Sequence, residues 1–167
     1  MPLIKDGRLA SDPWIAVADD AELPATGAVI VSLARFRAER EALLARGAPL
    51  AVRLQGGELA KAIGEDARQL GLIALEFPSF RDGRAYSTAR LLRERYGFAG
   101  ELRAVGNVLR DQFLFMHRCG FDAFEVADEK AVNAWRKAIA EFTVFYQTAT
   151  DGRAPASALR GLRRAAE

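Results

Sequence analysis

Five short apolar runs alternate with segments of helical period, and this alternation constrains the fold more than any other feature of the sequence. The runs predict strands at residues 28–32, 50–54, 72–77, 101–105 and 123–126. Their first residues are about 22 to 29 positions apart, which is the spacing of strands that are each followed by one crossover helix. The sequence therefore predicts an α/β fold with about five mostly parallel strands and βα connections.

Two arrangements of such a sheet fit the pattern. Five strands are too few for a closed eight-stranded barrel, so we expect an open three-layer sandwich with helices on both faces. A partial β/α barrel, with all helices on one face, is the alternative, because both arrangements need strands that are buried on both faces.

The chain divides into three parts by composition. Residues 27–148 form the predicted α/β domain. Residues 1–26 are predicted as an irregular N-terminal segment with a small hairpin of residues 3–5 and 9–10. Residues 149–167 are rich in Ala, Arg and Gly, and we expect a flexible basic tail.

Composition excludes several classes of protein. The 24 basic and 22 acidic side chains leave a formal net charge of only +2, whereas a nucleic-acid binder carries a clear basic excess. No apolar run approaches the roughly 20 residues that cross a bilayer, and the start MPLIKDGRLASDPW lacks the apolar core of a signal peptide. We therefore expect a cytoplasmic protein that binds neither nucleic acid nor membrane.

The sequence also shows no site for a cofactor or a metal. A single cysteine and a single histidine exclude an internal disulfide and a metal site rich in these residues. Gly56 and Gly57, with Gly64 further on, do not fit G-x-G-x-x-G, and no Walker sequence occurs. No cofactor is therefore evident.

Four loops follow predicted strands and meet at the carboxyl edge of the predicted sheet, at residues 55–57, 78–83, 106–107 and 127–128. We call this edge the carboxyl rim. Ligands of open α/β sheets and of β/α barrels bind at this edge. The polar side chains that the second and third loops and the following helix starts bring to the rim are Arg81, Asp82, Arg84, Ser87, Asn107, Arg110, Asp111 and Gln112.

Arginine dominates the same part of the chain. Residues 81–118 contain eight arginines and four acidic residues, so the local charge is 8 − 4 = +4. The planar guanidinium group suits carboxylate, phosphate or sulfur oxyanions. We predict that Arg81, Arg84 and Arg110 bind a small oxyanion or acidic groups of a partner, and that the other five rim residues orient them. For Asp82, a role in a turn or helix cap is the stronger alternative.

The helix predicted at residues 108–119 has its own features. Its run FLFM is apolar on every side, so the helix is either wholly buried or presents a partner interface. His117 and Cys119 lie near its end, and we expect both to be buried or half-buried structural residues.

Long blocks of the sequence resemble a known bacterial family. The blocks are FPSFRDGRAYSTARLLR at 77–93, GELRAVG at 100–106, and VLRDQ with RCGFDAF within 108–124. They closely resemble the core of the DUF934 family, whose members are described as oxidoreductases with a part in sulfite reduction. The resemblance covers about a third of the chain strongly and includes the second and third rim loops.

The resemblance implies a role in assimilatory sulfite reduction, and hence in sulfur assimilation. The chain would be an accessory protein or partner of the sulfite reductase haemoprotein, or itself an oxidoreductase of sulfite reduction. We favour the accessory role because no residue set for a flavin or an iron–sulfur cluster is visible. The alternative is a non-redox binding or scaffold module that acts through an apolar helical interface, for example in a homo-oligomer.

Overall fold

A computed structural model describes the backbone of residues 1–165 and the side chains of residues 1–160. The strands are β1 Leu3–Lys5, β2 Arg8–Ala10, β3 Trp14–Ala16, β4 Ala28–Ser32, β5 Leu50–Leu54, β6 Leu72–Phe77, β7 Glu101–Gly106 and β8 Ala123–Glu125. The α-helices are α1 Leu33–Ala38, α2 Arg40–Ala45, α3 Arg84–Glu94, α4 Phe113–Arg118, α5 Ala131–Ala140 and α6 Ala156–Ala165. Short 3₁₀ segments lie at Ala60–Ala62, Gly64–Gln69 and Arg110–Gln112.

All eight strands form one mixed sheet in the order β2-β1-β8-β7-β6-β5-β4-β3. Each strand from β3 to β7 pairs in parallel with the next one along the chain. The hairpin of β1 and β2 confirms the predicted pairing near the N-terminus, and β1 also pairs antiparallel with β8. The predicted number of about five strands in the sheet was too low, because the hairpin joins the sheet through β1 and β8 and the three-residue strand β3 was not predicted.

The sheet is curled, and the chain connectivity requires the curl. The two edge strands, β2 and β3, are consecutive in the chain and are joined by residues 11–13 alone. In a flat sheet of eight strands the edges would be about 34 Å apart, at about 4.8 Å per strand interval. Four Cα–Cα steps from Ala10 to Trp14 span at most about 15 Å. The sheet therefore bends into a half-barrel whose concave face is crossed by residues 11–13.

The helices cover the convex face. The larger apolar cluster joins strand residues such as Val31 and Ile73 to helix residues such as Phe36, Leu92 and Met116. The cluster on the concave face consists of strand residues alone: Ile30, Ala51, Leu72, Ala74 and Val105, with Trp14 packed against them.

The open three-layer sandwich is therefore wrong, and the partial β/α barrel describes the sheet better. Strands β3 to β8 are parallel neighbours in sequence order, and crossovers of a single hand between such strands place their helices on the same face. Among these described strands the order does not reverse, so no crossover helix is sent to the other face.

The helices are shorter than the sequence pattern suggests. The segment between β5 and β6, where a crossover helix was expected, forms 3₁₀ segments instead, and α5, which follows β8, ends at Ala140. Within the segment predicted as a basic tail, α6 begins at Ala156, and residues 166 and 167 of that segment lie outside the described residues. None of the helices in the described part of the chain is both long and apolar enough to cross a membrane.

Candidate functional site

The loops after β6 and β7 contact each other at the carboxyl rim through Gln112. The Gln112 side chain is buried, with 7% of its surface exposed. Its Nε2 donates to the carbonyl oxygen of Phe80 at 3.3 Å, and its Oε1 accepts from the backbone N–H of Leu109 at 3.0 Å. Gln112 thus fixes one rim loop against the other and caps the 3₁₀ segment that precedes α4.

Asp82 and Arg84 form an ion pair at the start of α3. Oδ1 of Asp82 accepts from Arg84 Nε at 2.9 Å and from the Arg84 backbone N–H at 3.2 Å. These two hydrogen bonds from Arg84 lower the pKa of Asp82 to about 2. Asp82 therefore closes the turn that precedes α3 and partly neutralises Arg84, in agreement with a structural role in a turn.

The Arg84 side chain also connects the loop after β6 with the loop after β5. A Cβ atom placed on Gly57 would lie 2.7 Å from Nη1 of Arg84. Gly57 has a φ of +98°, a conformation that favours glycine. Arg84 is still 60% exposed, so its guanidinium group remains accessible from solvent.

The other predicted rim residues are exposed. Arg81 lies with its guanidinium carbon 5.5 Å from the centre of the Phe80 ring. Ser87 is exposed on α3. Asn107 is also exposed, and its backbone N–H donates to the Phe77 carbonyl oxygen at 2.8 Å. Within the described side chains, Arg81 has no ion-pair partner.

Arg110 and Asp111 line a large pocket on the helical side of the molecule. This pocket, which we call the aromatic pocket, has a volume of about 670 Å³ and lies between α3, α4, α5 and residues 142–149. Arg90 and Arg118 also line it, whereas Arg81 and Arg84 do not. Among the side chains that the structure describes, Arg110 forms no ion pair. The structure therefore places the three predicted arginines in two neighbouring regions of the surface.

Four aromatic side chains line the pocket, and three of them are largely exposed. Phe115 is 66% exposed, Phe142 is 55% exposed and Tyr146 is 88% exposed, although all three line the pocket. Burial of large aromatic side chains is favourable, so their exposure marks a surface where a ligand or a partner can gain contact area.

Arg118 fixes the segment that closes the pocket. Its guanidinium carbon lies 3.7 Å from the centre of the Phe145 ring, and its Nη2 donates to the Gln147 carbonyl oxygen at 2.7 Å. Thr150 returns a hydrogen bond of 2.7 Å from its Oγ1 to the Arg118 carbonyl oxygen. Residues 142–149 are therefore attached to the end of α4 at several points.

His117 and Cys119 are half-buried, as the sequence predicted. His117 packs edge-on against Trp135 with the ring centres 5.9 Å apart, and burial lowers its pKa. Burial raises the pKa of Cys119, so the thiol is less ionised than a free one. Cys119 lines the aromatic pocket, which makes it a natural reporter of occupancy.

The concave face carries a charged cluster that the prediction missed. Arg103 is fully buried in β7, and its Nη1 and Nη2 donate to Asp12 at 2.7 and 3.0 Å. Arg103 also pairs with Glu101 at 2.7 Å and with Glu125 at 3.5 Å, while Lys5 pairs with Glu101 at 2.7 Å. The sequence contained one signal for this cluster: Arg103 is a charged residue in the middle of a strand that was predicted to be buried on both faces.

A second charged pair lies near the carboxyl end of the concave face. Arg53 on β5 pairs with Glu76 on β6 at 3.2 Å. A cavity of about 470 Å³ opens here, and Ser32, Arg53, Gln55 and Asp19 contribute its polar lining. Among the described residues, no three acidic, histidine or cysteine side chains are grouped as metal ligands.

The fold and these sites define an α/β half-barrel protein with an arginine-lined pocket on its helical side. A family model of bacterial proteins of unknown function, DUF934, matches residues 51–157. The chain belongs to this family, and the match covers β5 to β8 and the aromatic pocket. No curated protein matches the chain.

Proposed function

We propose that this protein acts in assimilatory sulfite reduction as an accessory protein of sulfite reductase. Its arginines at the carboxyl rim would bind acidic groups of the reductase or a small sulfur oxyanion. Electron transfer in this proposal uses the cofactors of the reductase, and this chain contributes binding and orientation.

The observation that carries the proposal is the state of Arg81 and Arg110. Neither has an ion-pair partner among the described residues, and both are exposed. An arginine without a partner keeps its full charge and all five N–H donors for an oxyanion or a carboxylate. Both belong to the loops that carry the long blocks of family resemblance.

The remaining rim residues have supporting roles in this proposal. Gln112 sets the distance between the two loops, since it bonds to Phe80 and Leu109. Arg84 is a weaker candidate for the anion because Asp82 already occupies its guanidinium group. Ser87, Asn107 and Asp111 are exposed beside the arginines and can orient a bound group.

The experiment is a binding titration between the full chain and the sulfite reductase haemoprotein by biolayer interferometry. We expect association that weakens as salt rises, because exposed arginines are screened by ions. Arg81→Ala and Arg110→Ala should each weaken it. Arg95→Ala is the matched control, since Arg95 is exposed on the far end of α3 and stacks on Tyr96.

Isothermal titration with sulfite and with sulfate tests the small-anion form of the proposal. Heat that saturates with either anion, and is reduced in Arg110→Ala, supports it. Failure of the chain to bind the reductase and both anions would refute the proposed function.

The exposed aromatic residues favour a second candidate function, a scaffold module that acts through its helical face. Phe115, Phe142, Val144 and Tyr146 are each more than half exposed and lie close in sequence or around one pocket. Sedimentation equilibrium over a hundredfold range of concentration tests self-association through this face. A concentration-dependent dimer that Phe115→Ser abolishes would support the scaffold, and a monomer throughout would contradict a homo-oligomeric one.

A further inference from the structure

The aromatic pocket is large enough for an organic ligand. Its volume of about 670 Å³ lies within the range of about 300–1,000 Å³ that is typical of small-molecule sites. A tetrahedral oxyanion of five atoms would leave most of this volume to water. A site for such an ion would be small and polar, whereas this pocket is lined mainly by apolar side chains.

The charges around the pocket favour an anion with one charged group. Arg90 is paired with Glu94 at 2.8 Å, and Arg118 is paired with Asp151 at 3.7 Å and lies over the Phe145 ring. Arg110 is therefore the pocket's cation that has no ion-pair partner among the described residues.

Two acidic residues, Asp111 and Glu141, also line the pocket. A ligand with a single carboxylate, sulfonate or phosphate group can pair with Arg110 and keep the rest of its surface uncharged. A ligand with several charged groups would meet the acidic side chains as well as the arginines.

The aromatic wall favours a ligand with a flat ring system. Phe115, Phe142 and Tyr146 expose ring surface at the pocket, and Phe145 is already stacked by Arg118. Aromatic rings prefer offset or edge-on contact with other rings, and such contacts add to the burial of area. Leu114 and Ala138 complete an apolar floor.

We propose that the aromatic pocket binds an aromatic organic anion, with its single carboxylate, sulfonate or phosphate group paired to Arg110 and its ring between Phe115, Phe142 and Tyr146. This inference rests on the pocket alone and does not depend on the role in sulfite reduction. The two proposals share Arg110, so the test includes arginine variants at both regions of the surface.

The test is a fluorescence titration of the full chain with 8-anilinonaphthalene-1-sulfonate, an aromatic monoanion. We expect one saturable site per chain. Loss of one charge-assisted hydrogen-bonding group should weaken binding by about tenfold or more in Arg110→Ala. Arg81→Ala is the matched control, because Arg81 is also unpaired among the described residues but lies outside the pocket, and its affinity should equal that of the wild type.

A neutral analogue separates charge from apolar contact. N-phenyl-1-naphthylamine has the same ring system without the sulfonate, and we expect its affinity to be lower than that of the anion by a factor of about ten or more. A saturating concentration of the sulfonate should also slow alkylation of Cys119 by iodoacetamide, because Cys119 lines the pocket. Phe142→Ser should weaken binding of the sulfonate without unfolding the chain, because Phe142 is exposed.

Three results would overturn the proposal. Equal affinity of Arg110→Ala and Arg81→Ala would show that the sulfonate does not pair with Arg110. Equal binding of the neutral analogue would show that apolar contact alone holds the probe and that the site does not select an anion. Displacement of the probe by equimolar sulfate would show a site for small oxyanions, which agrees with the proposed function and contradicts this one.

Discussion

Replacement of Arg103 by methionine tests whether the charged cluster on the concave face determines the stability of the half-barrel. Arg103 is 1% exposed and pairs with Asp12, Glu101 and Glu125. Methionine keeps the apolar stem and removes the charge, so the three carboxylates lose their common partner. Lys5 remains beside Glu101, which is only 7% exposed.

The structure sets the expected magnitude. Removal of one partner from a buried ion pair costs about 3–5 kcal/mol, because the remaining charge stays in a poorly hydrated place. Asp12 is 33% exposed and Glu125 is 28% exposed, so both can regain water, and Glu101 keeps Lys5. We therefore expect the lower end of that range, about 3 kcal/mol in the free energy of unfolding. For a chain of this size this corresponds to a fall in Tm of roughly 6–12 °C.

The assay is urea denaturation followed by circular dichroism, with Arg53→Met as the matched control. Arg53 also points to the concave face and pairs with Glu76 at 3.2 Å, but it is 47% exposed. Exposed pairs contribute about 0–1 kcal/mol, so the control should lose little stability. A loss below about 1 kcal/mol for Arg103→Met, or equal losses in the two variants, would refute the reasoning.

The pH dependence of stability in the same variant provides a second test. Burial raises the pKa of Asp12, but hydrogen bonds from Arg103 and from the Trp14 backbone N–H outweigh it and leave the pKa lowered. The stability that Asp12 contributes is therefore present above its ordinary pKa of about 3.9 and is lost as pH falls through the lowered value. In Arg103→Met this acid-dependent loss should be smaller than in the wild type.

Three further predictions concern the rim and its neighbours. The pKa of Asp82, about 2 in the wild type, should return toward about 3.9 in Arg84→Ala, as measured by carboxyl NMR titration; an unchanged value would contradict the role of the ion pair. Burial raises the pKa of Tyr86 to about 12, so the stability due to its neutral phenol is present below about 10 and lost as pH rises toward 12. When the absorbance titration of Tyr86→Phe is subtracted from that of the wild type, the ionisation of Tyr86 should appear near pH 12. An ionisation near pH 10 would refute the prediction. Gly106→Ala should cost about 2 kcal/mol or more in urea denaturation, because φ is +87° and the new Cβ would lie 2.6 Å from the Phe77 carbonyl oxygen; a loss within about 0.5 kcal/mol would refute the conflict.

Local sequence patterns predicted the central strands well. The bounds of β4, β5 and β6 were predicted to the residue, and those of β7 and β8 to within one. These strands are apolar runs of four to six residues between segments of helical period, so their signal is local. The short strands β1 to β3 give no period, and β3 was not predicted at all.

The sequence indicated which loops carry the candidate residues, but only in part which of these residues lie together. Gln112 does connect the loops after β6 and β7, as their place at one rim suggested. Arg84 lies toward Gly57 and Arg110 toward the aromatic pocket, and the choice depends on side-chain packing that spacing along the chain does not encode. The aromatic pocket depends on residues 142–149, whose position is set by contacts with Arg118 from a distant part of the chain.

The sequence alone determined an α/β chain with parallel central strands and an arginine-rich segment at their carboxyl ends, because periodicity, glycine positions and charge are local properties. Only the tertiary structure decided that the sheet is a curled half-barrel and that Arg103 is buried beneath residues 11–13. These facts depend on which distant segments pair: β1 joins β8, β3 joins β4, and the short connection between β2 and β3 then forces the two edges together. The +2 charge of the whole chain was likewise known from composition, but packing decided that Arg90 has an ion-pair partner and that Arg110 has none among the described residues.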